Sequence, residues 1–131
     1  MVVDTSALIA ILQKESERRA FNEAIEAAES RAMSTASFVE ASMIIESRYG
    51  PDGTRGLDLF ISKAQIKLVP VDVDQAHVAR DAFRNYGKGR HRAGLNFGDC
   101  FAYALSKTLG EPLLFKGTDF TQTDITELTR E

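Results

Sequence analysis

Four acids spread along the chain could do chemistry together: Asp4, Glu40, Asp99 and Asp119. Asp4 directly follows the apolar start Met1-Val2-Val3, and Asp119 lies shortly beyond Leu113-Leu114-Phe115. Asp99 follows Gly94-Leu95-Asn96-Phe97-Gly98 and opens a helix, while Glu40 falls in the first turn of another. Four ionised carboxylates in one place repel one another and need cations to neutralise them. An all-oxygen donor set, without a cysteine–histidine set for zinc, selects Mg²⁺ or Mn²⁺. Such an ion lowers the pKa of a bound water, aligns it for in-line attack and stabilises charge developing on a phosphate. Two ions about 3.5–4 Å apart would do this for a phosphodiester, with no covalent nucleophile.

Each acid also has a purely local role open to it. Asp4 can cap the helix after it, and Ser37-x-x-Glu40 has the form of a capping box. Asp99 suits the positive end of a helix, and Asp119 suits a turn. Their conjunction near strand ends and helix starts is what favours a shared site.

The elements that must position them alternate. Met1–Val3, a stretch near Arg31–Ser34, Ile66–Val71 and Leu113–Phe115 read as strands, with Asp124–Thr126 as a weak last one. Between them, helical spacing predicts helices over Ser6–Leu12, Ser16–Glu29, Ser37–Tyr49, Leu57–Ala64, Asp74–Tyr86 and Phe101–Leu109. Gly50-Pro51-Asp52-Gly53 reads as a turn and Gly87–Gly98 as a loop; Gly110 and Pro112 close the last helix. Strands separated by helices give an α/β fold, a three-layer α/β/α domain with a central, mainly parallel sheet. Ligand sites in such sheets lie outside the carboxyl ends of the strands, where Asp4 falls.

The chain has 131 residues, 44% of them hydrophobic and 27% charged, which fits one domain over residues 1–131. Its lone cysteine, Cys100, excludes a disulfide framework and suits a reducing compartment. The start lacks the basic residues of a secretory leader, and no apolar run approaches the roughly 18 residues of a membrane span, so a cytoplasmic location is expected. A net charge of −3 is no basic footprint for nucleic acid. Yet Ala82–Gly98 contains no acid and carries Arg84, Lys88, Arg90, Arg92 and His91, so the total conceals an acidic site beside a basic segment.

Val2-Val3-Asp4-Thr5-Ser6-Ala7-Leu8, Ser37-Phe38-Val39-Glu40-Ala41, Leu95-Asn96-Phe97-Gly98-Asp99-Cys100-Phe101-Ala102-Tyr103-Ala104-Leu105 and Leu114-Phe115-Lys116-Gly117-Thr118-Asp119-Phe120 together resemble the four acidic motifs of PIN-domain ribonucleases, in particular the VapC-type toxins of bacterial toxin–antitoxin pairs. The resemblance spans nearly the whole chain. It implies a metal-dependent endoribonuclease whose acidic set is Asp4, Glu40, Asp99 and Asp119. Asp4 and Asp99 would be direct ligands, Glu40 would act through metal-bound water, and Asp119 would be the most replaceable. Thr5 or Ser6 would orient a carboxylate or phosphate. A VapB-type antitoxin that blocks the groove, a homodimer and a toxin–antitoxin hetero-oligomer are also implied. Leu57/Phe60/Ile61 and Leu8/Ile11/Leu12 are candidate contact faces, although each also fits a core.

Lys88, Arg90 and Arg92 precede Asp99 and could hold RNA phosphates. Lys116 could touch phosphate or form a structural ion pair. Tyr86 fits packing better than base stacking, and His91 better a loop role than acid catalysis. A receiver-type phospho-acceptor domain is the main competing reading, but such domains pair acids at the first strand, and this one has Asp4 alone. A haloacid-dehalogenase-type phosphatase needs Asp-x-Asp where Asp4-Thr5-Ser6 stands. A catalytically idle protein-binding module would bind without metal-dependent turnover.

Overall fold

In a computed structural model describing residues 1–128, the chain forms an α/β domain with a four-stranded parallel sheet. The end of the domain expected at residue 131 lies outside the described residues. In chain order the elements are β1 (Val2–Val3), α1 (Thr5–Leu12), α2 (Arg18–Ala27), β2 (Ala32–Ser34), α3 (Thr35–Lys63), β3 (Lys67–Val69), α4 (Val73–Tyr86), α5 (Phe97–Leu109) and β4 (Leu113–Leu114). A single 3-10 turn follows at Asp119–Gln122.

The strands lie in the order β3-β2-β1-β4. Val2 pairs with Ala32 on one side and Leu113 on the other, and Val3 pairs with Leu114. Successive strand residues face opposite sides of a sheet, and both sides here are dry. Val3, Met33 and Leu114 enter a core with Leu8, Phe21 and Leu57. Val2, Ala32 and Leu113 enter a second core with Ala82, Leu95 and Leu105. Burial on both faces makes the strands continuous apolar runs, and it produces the expected three layers. The chain steps from β1 outward to β2 and β3, then returns to place β4 on the other side of β1. The reversal puts the switch point at the carboxyl ends of β1 and β4.

Several boundaries differ from expectation for local reasons. Helix α3 starts at Thr35, capped by Ser34, whose hydroxyl accepts from the Ala36 N–H at 3.2 Å. Ser37 therefore lies inside the helix, buried, and the expected capping box with Glu40 does not form. The Gly50–Gly53 turn contracts to one non-helical residue, Gly50 at φ 67° and ψ −155°, a left-handed φ that glycine tolerates. Pro51 then restarts the helix, at a position where its missing N–H costs nothing. Helix α5 begins at Phe97, four residues before the expected Phe101, because Asn96 supplies a cap. The Asp124–Thr126 strand reduces to one bridge between Leu113 and Glu127, with the Leu113 N–H donating to the Thr126 carbonyl at 3.0 Å. Leu57 and Ile61, like Leu8 and Ile11, are core residues and offer no contact face.

Candidate active site

Asp4 terminates β1 and caps α1. Its Oδ2 accepts from the Ser6 N–H at 3.0 Å and from the Ser6 hydroxyl at 2.5 Å. The Ser6 Oγ in turn accepts from the Lys116 N–H at 2.9 Å, which ties the end of β1 to the chain leaving β4. Asp4 is only 3% exposed. Burial pushes its carboxyl up to about 6; the Ser6 bonds oppose the shift and the Glu40 charge adds to it.

Asp99 comes from the opposite end of the sequence, in the first turn of α5. It shares a reciprocal capping box with Asn96: the Asn96 side chain accepts from the Asp99 N–H at 2.9 Å, and Asp99 Oδ2 accepts from the Asn96 N–H at 3.1 Å. Its carboxyl is pushed up to about 7, chiefly by burial, against the Asn96 bond and with the charges of Asp4, Asp119 and Glu40 all adding. Three acids thus act on the carboxylate of the fourth.

Glu40 reaches this place from α3. Its carboxylate lies against Gly98, where a Cβ would meet the Glu40 Cδ at 2.6 Å. Glycine at 98 is therefore the condition for Glu40 to stand beside Asp99. Asp119 is exposed and opens the 3-10 turn, which Phe120 anchors by packing its ring on Phe115 at 5.1 Å.

Other expected residues are placed differently. The Thr5 hydroxyl is buried and donates to the Ser37 carbonyl at 3.2 Å, a contact between α1 and α3. The Lys116 ammonium is held by Glu15 and Glu17, so it pairs with these surface acids. Lys88, Arg90 and Arg92 lie exposed in the loop that leads into Asn96. That loop is closed by the Gly87–Leu95 bridge. His91 packs edge-on against Tyr86 at 5.2 Å and its Nδ1 accepts from the Ala93 N–H, so both rings hold the loop. Asn96 and Gly98 are contributors the sequence reading passed over; the Asn-x-x-Asp spacing was the available signal for the first.

Among the described residues, no trio of Asp, Glu, His or Cys side chains is already gathered into a metal-binding arrangement. The donor chemistry nevertheless fits a hard divalent cation. The acids offer only oxygen, their mutual repulsion calls for positive charge, and Gly98 leaves room for the Glu40 carboxylate. The one thiol, Cys100, is buried and pushed up to about 11, mainly by burial, so it supplies neither a soft ligand nor a nucleophile.

Comparison with known proteins agrees with this fold. The model of the PIN domain matches residues 1–125. The chain is 57% identical over 125 residues to ribonuclease VapC30 of Mycobacterium tuberculosis, covering 95% of each chain. Among solved structures, VapC20 of M. tuberculosis, described as a sarcin–ricin loop cleaving toxin, superposes with a TM-score of 0.79 at 15% identity, covering 98% of both chains. VapBC2 of Rickettsia felis, bound to a promoter DNA fragment, gives a TM-score of 0.76 at 11% identity, over 98% of this chain and 96% of that one. With the acids, the parallel sheet and the family match in agreement, the chain belongs to the PIN-domain family, among the VapC ribonucleases.

Proposed function

We propose that this protein is the toxin of a toxin–antitoxin pair, an endoribonuclease that hydrolyses RNA phosphodiester bonds with Mg²⁺ or Mn²⁺ held by Asp4, Glu40, Asp99 and Asp119. The observation that carries the reading is that carboxylates far apart in sequence, Asp4, Glu40 and Asp119, all bear on Asp99 beside the sheet's switch point. The cation, when bound, supplies an activated water and stabilises charge on the phosphate. Asp4, fixed by two bonds from Ser6, and Asp99, fixed by Asn96, are the direct ligands. Glu40 orients water in the space Gly98 leaves, and Asp119 completes the anionic wall from an exposed position. Lys88, Arg90 and Arg92 hold RNA phosphates beside the start of α5.

A VapB-type antitoxin as inhibitor is supported by the VapBC complex among the structural relatives. Homodimerisation and a cytoplasmic location belong to the same reading. No helix among the described residues is long and apolar enough to cross a membrane. A receiver role has little support in the geometry, because the acid after the third strand, Asp72, caps α4 at the sheet's edge and Lys116 is paired with Glu15 and Glu17.

The test is RNA cleavage by the purified protein with Mg²⁺ or Mn²⁺, with excess EDTA, and with Asp4→Asn. The reading predicts that both controls abolish cleavage; undiminished cutting in EDTA would refute it.

A further inference from the structure

Two of the acids are held by their own hydrogen bonds, Asp4 from Ser6 and Asp99 from Asn96, and Glu40 lies against Gly98. Asp119 is exposed, and the 3-10 turn it opens receives no side-chain cap bond from Thr118. Its charge nevertheless bears on Asp99. The place of Asp119 is therefore set by what holds the segment on either side of its turn. Upstream, the Lys116 N–H donates to Ser6 Oγ at 2.9 Å. Downstream, the segment is gripped at Asp124, whose Oδ1 accepts from the Tyr103 hydroxyl at 2.6 Å and whose Oδ2 accepts from the Lys107 ammonium at 3.0 Å.

Tyr103 follows Asp99 by four residues and Lys107 follows Tyr103 by four more, so the three stand in one row along α5. One helix thus carries Asp99 in its first turn and grips the Asp119 segment with its later turns. Tyr103 is 7% exposed, and its ring lies 5.9 Å from that of Tyr86. A phenylalanine ring would fill the same space; what the hydroxyl adds is the bond to Asp124. That bond is short and runs to a charged acceptor, the strong kind. Burial pushes the phenol above its ordinary range, with Asp124 adding to the shift, while the Tyr103 bond draws the Asp124 carboxyl down, helped by Lys107. Both shifts keep the proton on Tyr103 and the charge on Asp124. The Lys107 pair is open to solvent on both sides and grips less. Little slack separates Asp124 from Asp119: the Thr121 N–H donates to the Thr118 carbonyl and the Thr123 N–H to the Phe120 carbonyl, both at 3.1 Å, and Phe120 and Ile125 are buried in the second core. A displacement at Asp124 is therefore passed to Asp119.

We propose that Tyr103 is a positioning residue for Asp119: its phenol fastens Asp124 to α5 and so fixes the turn that presents Asp119 to the other acids. The inference rests on the nuclease reading above, in which Asp119 helps to hold the cation. It makes α5 the common frame of two acids, Asp99 borne by the helix itself and Asp119 strapped to it. Support from a rigid helix is what keeps carboxylates within coordination reach of one ion.

Mn²⁺ binding to the full chain, read from the electron paramagnetic resonance signal of the free ion, tests this independently of turnover. Tyr103→Phe keeps the buried ring and removes the bond. It should weaken Mn²⁺ binding about tenfold, the scale for losing an outer partner that orients a metal-holding group. Asp119→Asn should weaken binding at least as much, and adding Tyr103→Phe to it should have no further effect, because the group it positions is gone. RNA cleavage at limiting Mn²⁺ should follow the same order, and excess Mn²⁺ should restore the Tyr103→Phe protein. Asp124→Ala alters an exposed residue and leaves the core whole. It should reproduce the Tyr103→Phe loss and its dependence on Asp119, which keeps the test decisive if Tyr103→Phe folds poorly. Unchanged affinity in these variants would overturn the positioning role. So would a loss of the same factor with and without the Asp119 carboxylate, which would make the clasp a general support of the fold. Normal Mn²⁺ binding by Asp119→Asn, with binding lost in Asp4→Asn, would remove the positioning role and leave the nuclease reading standing. No Mn²⁺ binding and no metal-dependent cleavage by the unaltered protein would remove both.

Discussion

Asp4 and Asp72 do the same local work in opposite surroundings. Each follows a strand and caps a helix, Asp4 through the Ser6 N–H at 3.0 Å and Asp72 through the Gln75 N–H at 2.8 Å. Asp72 follows the edge strand β3, is exposed, and serves as the cap of α4. Asp4 follows β1, between β2 and β4, where the switch point buries it beside Glu40 and Asp99. A cap becomes a candidate ligand because of where its strand lies in the sheet, since both acids cap the helix that follows them.

The largest contrast should appear when each is altered. Asp4→Asn keeps an acceptor for Ser6 but removes a ligand charge, and should lower cleavage at least a hundredfold, in line with the several kcal/mol a catalytic metal supplies. Asp72→Ala should leave cleavage unchanged and lower stability by about 1 kcal/mol, the ordinary loss of a helix cap. Parallel cleavage assays and thermal melts read both.

Asp99→Asn should also abolish cleavage while raising the melting temperature of the metal-free protein by a few degrees near pH 8. Asp4 and Asp99 hold their protons to about 6 and about 7 in the fold, above the ordinary carboxyl value. Their favourable contribution is complete below about pH 4 and is lost as pH climbs through these values. The stability gap between Asp99→Asn and the unaltered protein should therefore widen from about pH 4 to pH 7 and then level off. Mg²⁺ should close it, because binding needs the ionised form and favours the folded state. A constant gap across that range would show that burial and the neighbouring acids do not raise the Asp99 carboxyl.

Gly98→Ala should act more locally. The atoms nearest the added methyl belong to the movable end of Glu40, so the melting temperature should barely change while cleavage falls about tenfold, as expected for a displaced water-orienting group. The smallest effect is expected for Lys116→Ala, whose ammonium is occupied by Glu15 and Glu17; cleavage should stay within about twofold, since exposed pairs away from the chemistry contribute little.

The order of strands and helices was legible because strand runs buried on both faces and helical spacing are local signals. Asp4 and Asp99 were legible for the same reason, each falling at a strand end or helix start. Glu40 was a candidate on the sequence, but the local partner expected for it was wrong. Ser37-x-x-Glu40 has the form of a box, yet Ser34 is the cap, and Ser37 is drawn inward where Thr5 donates to its carbonyl. The place of Gly98 under Glu40 joins residues 58 apart in sequence, and no local pattern encodes it. Phe97 lay hidden in what read as a loop, because the Asn96 cap that extends α5 to include it depends on a box completed by Asp99.

The central claim is that Asp4 and Asp99 share a divalent ion. Anomalous diffraction from crystals grown with Mn²⁺ tests it directly. A manganese peak about 2.1 Å from carboxylate oxygens of both residues is the predicted result. Manganese bound elsewhere, with that position empty in a preparation that still cuts RNA, would contradict it.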